Sequence, residues 1–204
     1  KIFLITKKEK VTKIIKEKKI DKSQIINPEN FLDLIKKLKG NKFIIDPLSC
    51  SILNESLIKS KFRIINKDDP CYKLKSIKNS TEIKHMINAH IEDGVALTKF
   101  IFWIKNVNKK KITEIDAKNK LAKFRKLNKN YLFPSFTTIA GTGSNGAIVH
   151  YRVNKKSNKT IKKNHLFLCD SGGQYKYGTT DVTRTLCFSK QSNSIKNIFT
   201  KVLK

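Results

Sequence analysis

Asp170 and Asp181 are the side chains of this sequence best placed to do chemistry. They stand in "CDSGGQYKYGTTDVTRT", residues 169–185, among small, hydroxyl-bearing and β-branched residues. Asp is depleted in strand interiors. A buried acid needs a partner, and a metal ion is one of the few good ones. The stretch reads as a β-hairpin, with "HLFLCDSGG" and "TTDVTRTLCF" as its strands, joined around Tyr175–Gly178. Opposed residues of an antiparallel pair keep a constant index sum. A turn centred between Tyr175 and Lys176 makes that sum 351 and sets Asp170 opposite Asp181, their Cβ atoms about 4.5–5.5 Å apart. Two like charges so close repel unless a cation lies between them. With one, they form half of a carboxylate cage for a hard divalent ion. Strand alternation turns Cys169 to the other face. It puts Thr183 and Thr185 on the face of Asp181, as donors that could support it. Gly172-Gly173 lets the backbone pass a crowded place without a Cβ. The plainer alternative is that one Asp ends a strand and the other caps a turn.

The remaining polar candidates carry weaker signals. His150 is read near the end of a strand, "AIVHY". The glycines of "GTGSNG", residues 141–146, superficially resemble a phosphate-binding loop but lack the following helix and the Lys-Ser/Thr pair. Asn145-Gly146 reads instead as a hairpin turn. His85 and His90 lie on a helix, where a lone His is more often a surface or core residue than a ligand. His165 precedes a strand and reads as structural. Cys50, Cys71, Cys169 and Cys187 form no C-x-x-C pair and no zinc-ligand spacing, so free thiols in a reducing cytoplasm are expected.

The elements that position these residues follow from periodicity and punctuation. Residues 1–67 alternate short apolar strands ("KIFLI", "KFIID", "FRIIN") with amphipathic helices, an α/β pattern. In "NPENFLDLIKKLKG", Asn27 can cap, Pro28 sits at the first helical position and Gly40 can close the end, with Phe31, Leu34, Ile35 and Leu38 on one face. The polar "NKDDPCYK", residues 66–73, reads as a domain boundary. A long helix follows over 79–107, capped by Asn79 or Ser80, with Glu82 able to reach back in a capping box from Asn79, and with Ile83, Ile87, Ile91, Phe100 and Ile104 as its apolar stripe beside Met86 and Val95. Gly94 inside that helix costs about 1 kcal/mol against Ala and is expected to allow close packing. A second helix opens with a Thr113/Asp116 capping box and runs through Leu121, Phe124 and Leu127.

The chain has 204 residues, a formal charge of +28 and 39% hydrophobic content, enough for a packed core. No stretch of about 18 apolar residues occurs, so no membrane span is expected. The N-terminus is too short in apolar residues for a signal peptide. Of the 44 basic residues only Arg63, Arg125, Arg152 and Arg184 are Arg. The lysines are spread along the chain with Asn and Ile, as compositional drift in an AT-rich genome would leave them. Arg, the better reader of phosphate and base edges, is scarce. Nucleic acid is therefore not the expected partner, although the charge would support non-specific binding.

Three segments share a resemblance. "LCDSGGQYKYGTTDVTRT" resembles the signature of the three-domain Xaa-Pro aminopeptidases (aminopeptidase P), metallopeptidases of family M24 with the pita-bread fold. "NSTEIKHMINAHIEDGVALTKFIFWI" is similar to that family's opening catalytic helix and "FPSFTTIAGTGSNGAIVHY" to its substrate-pocket strand, in the family's order and spacing. The resemblance covers about residues 70–204. It implies an α/β (α+β) chain: residues 1–67 as the end of the middle, non-catalytic, creatinase-like α/β domain, and residues 68–204 as the N-terminal half of the pita-bread domain. It implies that Asp170 ligates one metal ion, that Asp181 bridges two, and that His150 lines the pocket and stabilises the reacting carbonyl. The implied cofactor is a pair of divalent ions, most often Mn2+, whose bridging hydroxide attacks the bond before proline.

The resemblance also sets a departure. The family's ligand set is Asp, Asp, His, Glu, Glu, and only the two aspartates have counterparts here. The expectation is a truncated enzyme, inactive alone or active only with a complementary C-terminal chain. Its parent is expected to be a cytoplasmic homodimer acting on peptides with proline second. The alternatives are a non-catalytic pita-bread-type module that binds RNA or ribosomes, and an inactive gene fragment.

Overall fold

The computed structural model describes residues 2–17, 19–108 and 112–204. It divides between Ile77 and Lys78 into two compact units. The division falls after the polar stretch 66–73, beyond the expected boundary at 67/68. Asp69 accepts a hydrogen bond from the Cys71 backbone N–H at 2.8 Å and Pro70 takes the first turn, so the polar residues start a helix that ends at Ser76.

The first unit is parallel α/β. Strand β1 (Leu4–Ile5) pairs with β2 (Ile25–Ile26), on either side of α1 (Thr12–Lys16). The expected strand at 1–5 is thus realised at its last two residues, and Lys1 lies outside the described residues. After β2, a 3-10 turn over Pro28–Asn30 leads into α2 (Phe31–Lys37). Then β3 (Lys42–Ile45), α3 (Ile52–Lys59) and β4 (Arg63–Asn66) form a βαβ crossover with β3 parallel to β4. Ile35, Ile45, Ile58 and Phe62 make its core, with Phe31 and Leu38 against them. Helix α4 (Pro70–Ser76) closes the unit.

The second unit is antiparallel and helix-backed. Helices α5 (Ser80–Asn106) and α6 (Glu114–Lys126) both open with the expected capping boxes, Asn79 with Glu82 and Thr113 with Asp116. One three-stranded sheet has the order β10–β7–β6, from β6 (Ile139–Thr142), β7 (Phe167–Ser171) and β10 (Val182–Leu186). The other has the order β5–β8–β9, from β5 (Tyr131–Pro134), β8 (Gly173–Tyr175) and β9 (Gly178–Thr179). Helix α7 (Asn193–Leu203) ends the chain. Leu97, Phe100 and Ile104 of α5 pack with Ala117, Leu121, Ala140, Phe167, Cys169 and Leu186 in the core. Among the described residues, no helix is long and apolar enough to cross a membrane.

Three expectations are corrected. The first concerns α5, whose inward face is not the isoleucine stripe. Ile83, Ile87 and Ile91 are 50%, 55% and 61% exposed, while Ala89, Asp93, Ala96 and Leu97 are buried with Phe100 and Ile104. The hairpin tip approaches this half of the helix too closely for large residues. A Cβ on Gly178 would stand 2.8 Å from the Ala89 Cβ. Gly94, expected to allow the close approach, has open space where its Cβ would be. Gly178→Ala is therefore expected to lower stability by about 1–3 kcal/mol by overpacking, whereas Gly94→Ala raises it; urea unfolding of the two variants checks both signs.

The second correction concerns residues 143–151. The expected Asn145-Gly146 hairpin turn and "AIVHY" strand are instead a 3-10 helix, Gly143–Ala147, followed by a turn through His150. Buried Glu114 causes this. Its carboxylate accepts from the Asn145 side-chain amide at 3.0 Å, the Tyr151 hydroxyl at 2.9 Å and the backbone N–H groups of Thr142 and Lys159 at 2.8 and 3.1 Å. A hairpin would pull Asn145 out of that set. The partner of β6 is β7.

The third correction is the register of the acid-bearing hairpin. Asp170 pairs with Thr183, and Gln174 with Thr179, a constant index sum of 353 in place of 351. Tyr175 pairs with Gly178, so the two-residue turn is Lys176-Tyr177.

Candidate metal centre

Asp170 lies in the middle strand of its sheet, opposite Ile139 on one side and Thr183 on the other. Along β7, Phe167, Cys169 and Ser171 are buried, while Leu168 and Asp170 are half-buried on the opposite face. The Cys169 thiol is thus turned away from the acid. Burial pushes it up to about 11, so it stays protonated at neutral pH. Thr183 shares the face of Asp170, and its hydroxyl donates to Asp170 Oδ1 at 2.7 Å. That bond fixes the carboxylate and leaves lone pairs of both oxygens open.

Asp181 is not opposite Asp170. It precedes the first residue of β10 and faces Gly172, where the hairpin passes from one sheet to the other. The two acids are diagonal neighbours, a relation that puts Cα atoms about 7–8 Å apart. Asp181 is exposed. Among the described residues its carboxylate accepts no hydrogen bond, and neither acid is ion-paired, although the chain carries 44 Lys and Arg.

The hairpin is held by its tip. Tyr175 is fully buried, and its hydroxyl donates to Asp93 Oδ1 at 2.7 Å. Burial, followed by this bond to a carboxylate, pushes that hydroxyl far above the usual phenol range. The Arg125 guanidinium clasps Asp93 with Nε at 2.7 Å and Nη2 at 2.9 Å, and Nη2 also donates to Ser171 Oγ at 3.1 Å. One ion pair thereby ties α5, α6, the residue after Asp170 and the residue at the tip. Beyond it, Tyr177 rests on the His85 ring, with centroids 5.5 Å apart, and Asn130 donates to the Tyr177 hydroxyl at 3.2 Å.

Glu92 completes the tip. Its carboxyl is held below its ordinary value of 4.5 by a hydrogen bond from Tyr177, against the opposing effect of burial, with Asn128 and Asn130 donating as well. A depressed carboxyl contributes stability that is present above the unfolded value and is lost as pH falls through the folded one. Thermal unfolding followed below pH 4.5 is therefore expected to show a steeper acid loss in the parent than in Glu92→Gln.

His150 is exposed in the turn after the 3-10 helix. It is the one non-glycine among the described residues with positive φ, at +54°. Among the described residues it makes no hydrogen bond to Asp170 or Asp181. No group of three or more His, Cys, Asp or Glu side chains that could hold a metal ion occurs among the described residues. Asp170 and Asp181 are hard oxygen donors on adjacent runs of one hairpin and suit a divalent cation. They fit part of a metal centre and not a whole one. Sequence reasoning missed Arg125, Asp93 and Tyr175; an Asp inside an apolar helix and one of only four arginines were the available signals.

The antiparallel hairpin, the helix-backed sheets and the two acids define a mixed α/β unit that carries part of a candidate metal site. Residues 84–204 match the sequence profile of metallopeptidase family M24, and the chain belongs to that family. It is 42% identical over 168 residues to the Xaa-Pro aminopeptidase ApepP of Drosophila melanogaster, covering 81% of this chain and 27% of the relative. It is 36% identical over 208 residues to a probable Xaa-Pro aminopeptidase P of Coccidioides posadasii, covering 96% of this chain and 32% of the relative. Among solved structures, the X-prolyl aminopeptidase of Caenorhabditis elegans, described as a cytosolic enzyme with a di-nuclear active site, aligns with a TM-score of 0.73 at 26% identity, over 84% of this chain and 29% of that one. The Xaa-Pro dipeptidase of Bacillus anthracis shares the fold, with a TM-score of 0.71 at 22% identity, over 88% of this chain and 50% of that one. The chain thus spans 27–32% of the length of these two curated relatives.

Proposed function

We propose that this chain is the part of an Xaa-Pro aminopeptidase that supplies Asp170 and Asp181 to a centre of two divalent metal ions. Residues 68–204 are read as the N-terminal half of the catalytic domain, and residues 1–67 as the end of the domain before it. The observation that carries this reading is the pair of carboxylates on one hairpin, with no ion-pair partner among the described residues, in a strongly basic chain. Its support is the family membership and the relatives' shared description as Xaa-Pro aminopeptidases.

Two bound divalent ions supply Lewis acidity and a water of lowered pKa at neutral pH. The chain's own residues do the positioning. Asp170, oriented by the Thr183 hydroxyl, and Asp181 would hold those ions. His150 contributes to substrate binding and to stabilising the carbonyl before proline. Its left-handed backbone, in a loop pinned by Glu114 at Asn145 and Tyr151, supports that role, because strained residues cluster where function needs them. The substrates are peptides with proline in the second position. Carboxylate oxygens suit hard divalent ions, Mn2+ among them, and Mn2+ is the ion of this reading. The remaining ligands are contributed by a segment or chain beyond these residues, in a cytoplasmic, homodimeric enzyme.

A chimera tests this. Residues 78–204 replace the matching segment of the Drosophila relative, and cleavage of an Xaa-Pro peptide is measured with added Mn2+. Cleavage that needs both aspartates is the expected result. A folded chimera that binds metal and cleaves without Asp170 and Asp181 contradicts the reading.

A further inference from the structure

The hairpin that carries both acids is discontinuous. Its two strands pair as β7 with β10, then again as β8 with β9, in different sheets. Between the two stretches, at Gly172 on the outgoing strand and Thr180-Asp181 on the return, the strands depart from ladder pairing. Asp181 sits in that break, so no sheet neighbour sets its direction. Something else must.

Ser135, next after β5, fills the break. Its backbone N–H donates to the Gly172 carbonyl at 3.2 Å, on the outgoing strand. Its hydroxyl donates to the Thr180 carbonyl at 2.9 Å, on the return strand. The Thr180 carbonyl belongs to the peptide that ends at the Asp181 nitrogen, so this bond orients the peptide plane that aims Asp181. The other side of Thr180 is fixed as well. Its N–H donates to the Gly173 carbonyl at 2.9 Å, and its hydroxyl accepts from the Gly173 N–H at 2.9 Å. The place is too tight for any alternative route. A Cβ on Gly172 would fall 1.9 Å from the Thr180 carbonyl oxygen and 2.2 Å from Ser135 Oγ. Thr180 is buried, so without Ser135 its carbonyl loses a partner that water does not readily replace.

We infer that Ser135 is the positioning residue for Asp181: its hydroxyl, bonded to the Thr180 carbonyl, holds Asp181 in convergence with Asp170. This rests on the metal-ligand reading of the two acids. Asp170 has its own support in β6, β7 and the Thr183 hydroxyl, so the two carboxylates depend on separate devices. The separation makes the inference testable on the 204-residue chain itself, with no activity needed.

The experiment is an NMR titration of the carbon-13-labelled chain with magnesium chloride, a diamagnetic hard ion, reading the side-chain carboxyl shift of each aspartate. In the parent, Asp170 and Asp181 both shift. In Ser135→Ala, the shift at Asp181 is lost, that at Asp170 persists, and apparent Mg2+ affinity falls about tenfold, the low end for groups that support a metal ligand. Ser135→Thr, which keeps the hydroxyl, recovers both. An unchanged shift at Asp181 in Ser135→Ala overturns the inference. So does equal loss at both acids together with a lowered unfolding temperature, which is what a merely structural role gives. Asp181→Asn separates the two levels. If it leaves the Mg2+-induced shift at Asp170 and the affinity unchanged, the metal reading falls and this inference with it. If it weakens binding while Ser135→Ala does not, only the positioning inference falls.

Discussion

Arg125→Met is expected to lower the stability of the second unit by about 3–5 kcal/mol, because it leaves the buried Asp93 carboxylate without its counter-charge. A loss of that size is a large fraction of the roughly 5–15 kcal/mol that holds a domain together. The bonds at risk are the two from the guanidinium to Asp93, at 2.7 and 2.9 Å, and the one to Ser171 at 3.1 Å. Arg125→Lys does not rescue, since one ammonium cannot supply a planar fork to the carboxylate and a further donor to the serine. The variant that does rescue removes both charges and the tyrosine hydroxyl bonded to them: Arg125→Met with Asp93→Leu and Tyr175→Phe, which leaves no buried charge unpaired. Urea unfolding of the three proteins checks the ordering. A single Arg125→Met change costing under about 1 kcal/mol, the scale of an exposed pair, contradicts the account.

The second large effect concerns the acids. Asp170→Asn or Asp181→Asn, placed in the chimera, is expected to reduce Xaa-Pro cleavage by more than about 100-fold. That is the upper end of what loss of a supporting residue costs, and these are proposed as ligands themselves. Thr183→Val removes only the donor to Asp170 and is expected to cost about tenfold, mostly in metal affinity. The graded series matters more than any one value. An account in which Asp181 merely caps a turn gives Asp170→Asn and Asp181→Asn different kinds of defect: one catalytic, the other confined to stability.

Local signals in the sequence carried much of this structure. The capping boxes at Asn79 and Thr113 involve side chains three residues apart, and both form as read. The parallel β3–α3–β4 unit and the antiparallel pairing of β7 with β10 follow from pattern and length. What local reading missed was set by distant partners. The hairpin register moved by two because Tyr175 bonds to Asp93, 82 positions away, and the turn forms one residue further on. The hairpin turn expected at 145–146 gave way to a 3-10 helix, and the strand expected at 147–151 to a turn, because Glu114 draws in Asn145 from 31 positions away. The isoleucines of α5 looked like core residues. In the fold, the small Ala89 and the charged Asp93 face inward, because a hairpin tip and an arginine lie there. That both acids stand on one hairpin was legible; their diagonal register was not.

The most direct test of the central claim is to locate the metal. Crystals of the chimera soaked in Mn2+ and measured at the manganese absorption edge give an anomalous map with no prior assumption about ligands. The account expects manganese peaks bonded to the carboxylates of both Asp170 and Asp181, with Asp181 shared between two ions. Well-ordered manganese elsewhere in the domain, with both carboxylates free of it, would contradict the account.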